Sequence, residues 1–159
     1  MKKFVPIIVF MFLFSFALGA QEYFVQVKHS GQYLAILDEQ KQNGAQACQG
    51  VNNTTSNFIW EIIPAGGGYF FFKVKHSGQY LAVLDERKEN GAPVVQGVKN
   101  TTDNFFWQII PAGGDYCYIK AKHSGQYLAI LNEQKQNGAI ACQGANNSTP
   151  NFLWKIIKK

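Results

Sequence analysis

From Tyr23 onward the chain alternates short apolar runs with polar, turn-prone stretches. The first four runs are Tyr23 to Val27, Tyr33 to Leu37, Ala45 to Gln49 and Phe58 to Ile63. Their lengths are those of ordinary strands, and they are rich in aromatic and β-branched residues. No segment spaces apolar residues three and four apart over the roughly ten residues that a helix needs. The pattern therefore predicts four strands and no helix, and it then recurs twice. His29 to Trp60 reads HSGQYLAILDEQKQNGAQACQGVNNTTSNFIW, and its copies begin at His76 and His123 (76 − 29 = 47; 123 − 76 = 47). The first and third copies agree at 26 of 32 positions and the first and second at 23 of 32. A fixed period of this length is the signature of a repeat architecture.

The connectors carry turn chemistry. His29-Ser30-Gly31 turns the first strand into the second, DEQKQNG ends in the Asn43-Gly44 dipeptide, and VNNTTSN is polar throughout. Pro64-Ala65-Gly66-Gly67-Gly68 and Pro111-Ala112-Gly113-Gly114 read as links between units. Three units of four strands make twelve strands. One such unit cannot bury its aromatic face alone. Three that close around a pseudo-threefold axis share one core, centred on Trp60, Trp107 and Trp154, and leave no free sheet edge.

Residues 1–20 differ from the rest. Lys2 and Lys3 precede an uncharged apolar run that ends in Ala17, Gly19 and Ala20, the pattern of a secretory signal. The expected organisation is a signal over 1–20 and one domain of three repeats, 21–66, 67–113 and 114–159. Secretion, extracellular or periplasmic, follows from that leader. With the leader removed, no segment is apolar enough to span a membrane. Of 15 basic residues two lie in the leader, so the domain carries 13 against 10 acidic ones, a net +3. That mild excess lacks the basic stripe of a nucleic-acid binder. Cys48 and Cys142 share a repeat position held by Val95 in the second copy, and Cys117 stands where Tyr23 and Phe70 stand. All three are expected to be buried small hydrophobes rather than a disulfide framework.

The combination of HSGQYL, NGA and N-F-x-W, three times over the whole domain, resembles the ricin-type β-trefoil lectins. That family's units read roughly H-S-G-K-x-L-D-V, then N-G-x-x-V-Q-x-W, then N-Q-x-W. The resemblance implies an all-β trefoil of three four-stranded repeats, and a sugar pocket in each. This chain departs from the family at the pocket. The aspartate after the leucine is replaced by Ala35, Ala82 and Ala129, and the pocket aromatic corresponds to Gly50, Gly97 and Gly144. The family glutamine is shifted to Gln49, Gln96 and Gln143, while Asn57, Asn104 and Asn151 keep the family position. A carboxylate bonding sugar hydroxyls makes charge-assisted bonds about twice as strong as neutral ones, so its loss weakens the pocket or relocates it. The relocated site is expected on the loop three residues on, together with the glutamine and the asparagine before F-x-W: Asp38, Glu39, Asn43, Gln49 and Asn57 in the first repeat, Asp85, Glu86, Asn90, Gln96 and Asn104 in the second, Asn132, Glu133, Asn137, Gln143 and Asn151 in the third. The expected partner is a glycan or polysaccharide, bound without catalysis or cofactor through up to three weak sites acting together. The alternative is a trefoil scaffold that binds a protein through its loops.

His29, His76 and His123 repeat with the turn and have no ligand-spaced carboxylate or cysteine beside them. They are expected to bond backbone at the core edge rather than hold a metal. Lys28, Lys75 and Lys122 precede them as solvated strand lysines. No nucleophile is joined to a base by a recognised motif.

Overall fold

The computed structural model describes residues 20–51, 54–98 and 101–159. The apolar leader of the sequence thus lies outside the described residues, apart from Ala20. Twelve strands follow in order: β1 (Glu22–Val27), β2 (Tyr33–Ile36), β3 (Ala47–Gly50), β4 (Trp60–Gly66), β5 (Tyr69–Val74), β6 (Tyr80–Val83), β7 (Val94–Gly97), β8 (Trp107–Gly113), β9 (Tyr116–Ala121), β10 (Tyr127–Ile130), β11 (Ala141–Gly144) and β12 (Trp154–Lys158). The only helical pieces among the described residues are six three-residue 3₁₀ turns.

Antiparallel pairing runs β1–β4–β5–β8–β9–β12 and back to β1, which closes a six-stranded barrel. The hairpins β2–β3, β6–β7 and β10–β11 cap one end. They touch one another through the bridges Gln46↔Val95, Cys48↔Ile140 and Pro93↔Cys142. The β4–β5 and β8–β9 turns, the start of β1 and the end of β12 lie at the opposite, open mouth, where the Lys159 amide donates to the Glu22 carbonyl at 3.0 Å. This is a β-trefoil, as the repeats predict.

The core is the sum of one layer from each repeat. Trp60, Trp107 and Trp154 are fully buried, and each indole Nε1–H donates at 2.9 Å to the carbonyl of Leu34, Leu81 or Leu128. A buried indole needs such a partner. Valine and isoleucine from β1, β5 and β9 and leucine from β2, β6 and β10 fill the space between them. On the axis, Gln46 Nε2 lies 2.7, 2.8 and 3.0 Å from the carbonyls of Ala47, Val94 and Ala141. Pro93 and Ile140, its repeat mates, have no side-chain donor, so one amide serves all three carbonyls.

Two sequence expectations are refined. The Pro-Ala-Gly-rich stretches do join one repeat to the next, but as strand and tight turn rather than as loop: β4 runs through Pro64 to Gly66 and turns into β5, with a register shift between Pro64 and Gly66. A bulge is where a strand tolerates proline, which has no amide hydrogen for the ladder. The third strand begins at Ala47 rather than Ala45 and the fourth at Trp60 rather than Phe58, because Ser56–Phe58 winds into a 3₁₀ turn that delivers Asn57 and Phe58 to the hairpin.

Candidate functional site

Each capping hairpin has two faces. In the first repeat Leu34 and Ile36 point into the core, while Ala35, Cys48 and Gly50 floor a cleft of about 220 Å³ walled by Asp38, Glu39, Phe58 and Asn137. The second repeat forms the same cleft, about 280 Å³, with Ala82, Val95, Gly97, Asp85, Glu86, Phe105 and Asn43. The wall asparagine comes from the preceding repeat: Asn43 joins Asp85 and Glu86, and Asn137 joins Asp38 and Glu39. The expectation that Asn90 completes the second site is thereby corrected. Asn90 reaches the third repeat, where its Oδ1 accepts from Ala145 N at 2.9 Å and lies beside Gly144. Asn43 and Asn137 likewise accept from Val98 N and Val51 N, which fixes each side-chain oxygen beside the glycine of the cleft floor.

The sequence's departures from the family pattern meet at one place. A Cβ on Gly50 would lie 2.6 Å from Phe58 Cζ, and one on Gly144 2.6 Å from Phe152 Cζ. Gly97 stands in the same relation to Phe105 at 3.0 Å. The ring also packs on the alanine, Phe105 on Ala82 and Phe152 on Ala129 with Cys142. Alanine and glycine are thus the bed in which the phenylalanine of N-F-x-W lies. The ring occupies the back of the cleft, buried in the second and third repeats. The signal was visible as three substitutions that change together in every copy.

The front of the cleft is acidic and strained. Asp38 and Glu39 hold φ of 52° and 54°, Asp85 and Glu86 51° and 54°, Asn132 and Glu133 52° and 53°. Left-handed backbone costs a non-glycine residue about 1–2 kcal/mol, least for Asp and Asn. These side chains are exposed, whereas Cys48 behind them is buried. Burial, with the Asp38 charge added, pushes the Cys48 thiol up to about 12, and burial alone takes Cys142 to about 11. Neither is a nucleophile at neutral pH.

The remaining predicted site residues also line the clefts, Gln49 and Asn57 in the first repeat and Gln96 and Asn104 in the second, but their polar groups are bonded within the protein. Gln49 is fully buried: its Oε1 accepts from Ser30 Oγ at 2.7 Å, and its Nε2 donates to the carbonyls of Gln134 and Gln136, both at 3.0 Å. Gln96 and Gln143 do the same with Ser77 and Ser124 and with the loops of the first and second repeats. Asn57 is buried too; it accepts from Thr55 Oγ1 and donates to the Ile36 carbonyl at 2.8 Å. Asn104 and Asn151 repeat that arrangement. Both sets shape the cleft from behind, with their amide oxygens already occupied.

The histidines complete the same clamp. His29 Nε2 lies 2.8 Å from the Gln134 carbonyl, His76 from Gln40 and His123 from Arg87. A carbonyl only accepts, so Nε2 carries the proton. Gln32, Gln79 and Gln126 bond the next carbonyl along, of Lys135, Lys41 and Lys88. The HSGQ turn of each repeat therefore grips the loop of the preceding one, in a closed ring of three. Lys75 pairs with Glu22, and Lys122 with Asp103 at 2.9 Å while standing over the Tyr69 and Phe106 rings.

The chain matches the family model of ricin-type beta-trefoil lectin domain-like proteins over residues 11–97, 66–143 and 103–159. No curated protein matches its sequence significantly. Among solved structures it is similar to ThreeFoil, a designed threefold-symmetric protein, at 28% identity and TM-score 0.84, covering 86% of this chain and 97% of that one. It is similar to part of an exo-beta-1,3-galactanase from Clostridium thermocellum, at 28% identity and TM-score 0.86, covering 91% of this chain but 31% of the enzyme. It shares the fold of the Rhizoctonia solani agglutinin at 20% identity and TM-score 0.77, covering 91% and 99%. With the family model spanning the domain and the trefoil built as it requires, this chain belongs to the ricin-type β-trefoil lectin-like family.

Proposed function

We propose that the protein is secreted and binds carbohydrate without catalysis, through three similar clefts that act together on a polymer or a cell surface. The observation that carries this is the strained pair of each repeat, Asp–Glu in the first two and Asn–Glu in the third. Two consecutive non-glycine residues are left-handed in every repeat, and backbone held in a sparsely populated region clusters where function requires it. On this reading the pair presents carboxylate acceptors, with one amide acceptor at Asn132, and the asparagine of the preceding repeat, its Oδ1 held by a backbone N–H, would offer its NH₂ as the donor. Sugar hydroxyls, which donate and accept, suit that combination. Membership of a lectin-like family and likeness to an agglutinin support the same conclusion.

Clefts of this size lie below the usual small-ligand range of about 300–1,000 Å³, so one cleft meets little more than a single ring. An affinity on the order of millimolar, about −4 kcal/mol, is expected for each. Three sites on one rigid body gain about 10²–10⁴ in avidity on a polymer. The test is retention on a panel of immobilised polysaccharides. Wild type is retained by at least one, and free monosaccharide competes only at high concentration. The variant Asp38→Asn, Glu39→Gln, Asp85→Asn, Glu86→Gln, Glu133→Gln is not retained, with its unfolding midpoint unchanged. Absence of wild-type retention across the panel would turn attention to a protein partner on the same loops.

A further inference from the structure

The open mouth of the barrel is where the repeats cease to be alike. Tyr23, Phe70 and Cys117 are equivalent (70 − 23 = 47; 117 − 70 = 47). Tyr23 and Phe70 place rings against the core there, and the third repeat places only a thiol. Beside it opens a cavity of about 570 Å³, larger than either cleft at the capped end. Phe70, Ile109, Pro111, Tyr116 and Ile156 line it. At its rim Lys155 Nζ, 39% exposed, bonds Asp115 Oδ2, 73% exposed, at 3.0 Å. That pair occurs in the third repeat alone. Asp115 corresponds to Gly68 and Gln21, and Lys155 to Gln108 and Glu61.

A concave apolar lining with one convergent polar group, in this volume range, is the make-up of a small-molecule site. We propose that the mouth binds a small aromatic molecule carrying a hydroxyl, a phenol in chemical class, separately from the clefts. Its ring takes the place that Tyr23 and Phe70 fill in the other two repeats, and its hydroxyl reaches the Asp115–Lys155 pair. Cys117 offers a polarisable wall to the ring. Burial pushes its thiol up to about 12, so the contact is non-covalent. No residue lines both this cavity and a cleft, so occupancy of one leaves the other free.

The test uses p-cresol and toluene, the side-chain analogues of tyrosine and phenylalanine, as probes of the purified protein by ligand-observed NMR titration. Wild type should bind p-cresol saturably at one site, and toluene about fivefold more weakly for want of one hydrogen bond. Cys117→Phe fills the void and should weaken p-cresol binding at least tenfold, while retention on polysaccharide is unchanged. Should the larger ring prevent folding, Cys117→Leu fills part of the space and should still weaken binding severalfold. Cys48→Val, at the other end of the barrel, should bind like wild type. Failure of wild type to bind p-cresol saturably, or undiminished binding by the folded Cys117 variants, would overturn the proposal. Loss of polysaccharide retention in Cys117→Phe would overturn the separation of the two sites.

Discussion

At the capped end the three repeats are close copies; at the mouth they diverge. The cap holds the HSGQ turns, the buried glutamines and the clefts, and the mouth holds Tyr23, Phe70 and Cys117 in one ring of positions. The cap is alike because each repeat must grip its neighbour. His76 and Gln79 bond the loop that follows Glu39, and Gln96 holds it at Gln40 and Gln42. A change in one copy breaks a joint between two. At the mouth the repeats are joined by the strand pairs β4–β5, β8–β9 and β12–β1, which use backbone groups, so a ring can become a thiol without breaking a joint. Identity among polar positions in a repeat protein thus reports assembly first. Function is better sought where identity is kept against a cost, as at the left-handed acidic pairs, or where symmetry is broken.

The largest test of the comparison lies in the core layer shared by both ends. Trp60→Ala, Trp107→Ala and Trp154→Ala should each lower stability by about 3–5 kcal/mol, and by similar amounts, as measured by denaturant unfolding. Unequal losses would show that the core does not share the symmetry of the cap.

Gln96→Leu tests the clamp itself. It removes two bonds to the first repeat's loop and leaves Ser77 without its acceptor, so a loss of about 2–3 kcal/mol is expected. Hydrogen exchange should quicken in residues 37–46 of the first repeat, across the joint, more than in the second repeat's own loop. The reverse order would mean that each repeat supports its own loop.

Alkaline pH probes both ends at once. An ordinary thiol titrates at 9.0, whereas Cys48 and Cys117 are pushed up to about 12 and Cys142 to about 11. The unfolded chain therefore releases thiol protons that the folded one retains. Their contribution to stability is fully present below pH 9 and is lost as pH rises through 11 to 12. Replacing Cys48 and Cys142 by valine, the residue of the second repeat, should flatten that decline, with Cys117 responsible for the remainder. A decline unchanged by valine would assign it to other groups.

The smallest effect is the most specific. Glu86→Gly relieves a left-handed glutamate and should gain up to about 1 kcal/mol, measured as a higher unfolding midpoint. The same change weakens polysaccharide retention. A gain in stability with retention intact would show that the strain serves only the turn.

The trefoil was legible because its signals are local and tripled: strand-length apolar runs, turn dipeptides and a tryptophan every 47 residues (107 − 60 = 47). The clefts were legible in part. Asp85 and Glu86 belong there as expected, but Asn43 comes from the preceding repeat, and sequence order gives no hint of which loop lies across a joint. Gln49 and Asn57 read as ligand-facing groups because the family pattern has a glutamine and an asparagine there; they line the cleft, but their polar atoms are taken by carbonyls and hydroxyls that a sequence does not display. Gly50 looked like a lost aromatic, whereas it is the space that the Phe58 ring requires. The glycine-rich stretch at Pro64 to Gly68 reads as a link by composition, and it is one, but Pro64 and Gly66 also pair with Phe70 and Tyr69 in a hairpin that proline and glycine do not advertise.

The most direct measurement of the central claim follows the side-chain amides of Asn43, Asn90 and Asn137 by NMR while an oligosaccharide from a retaining polysaccharide is added. Binding in the inter-repeat clefts should shift all three NH₂ signals and saturate together, leaving the buried amides of Gln49, Gln96 and Gln143 nearly still. A saturable response elsewhere on the molecule, with those three asparagines unmoved, would contradict it.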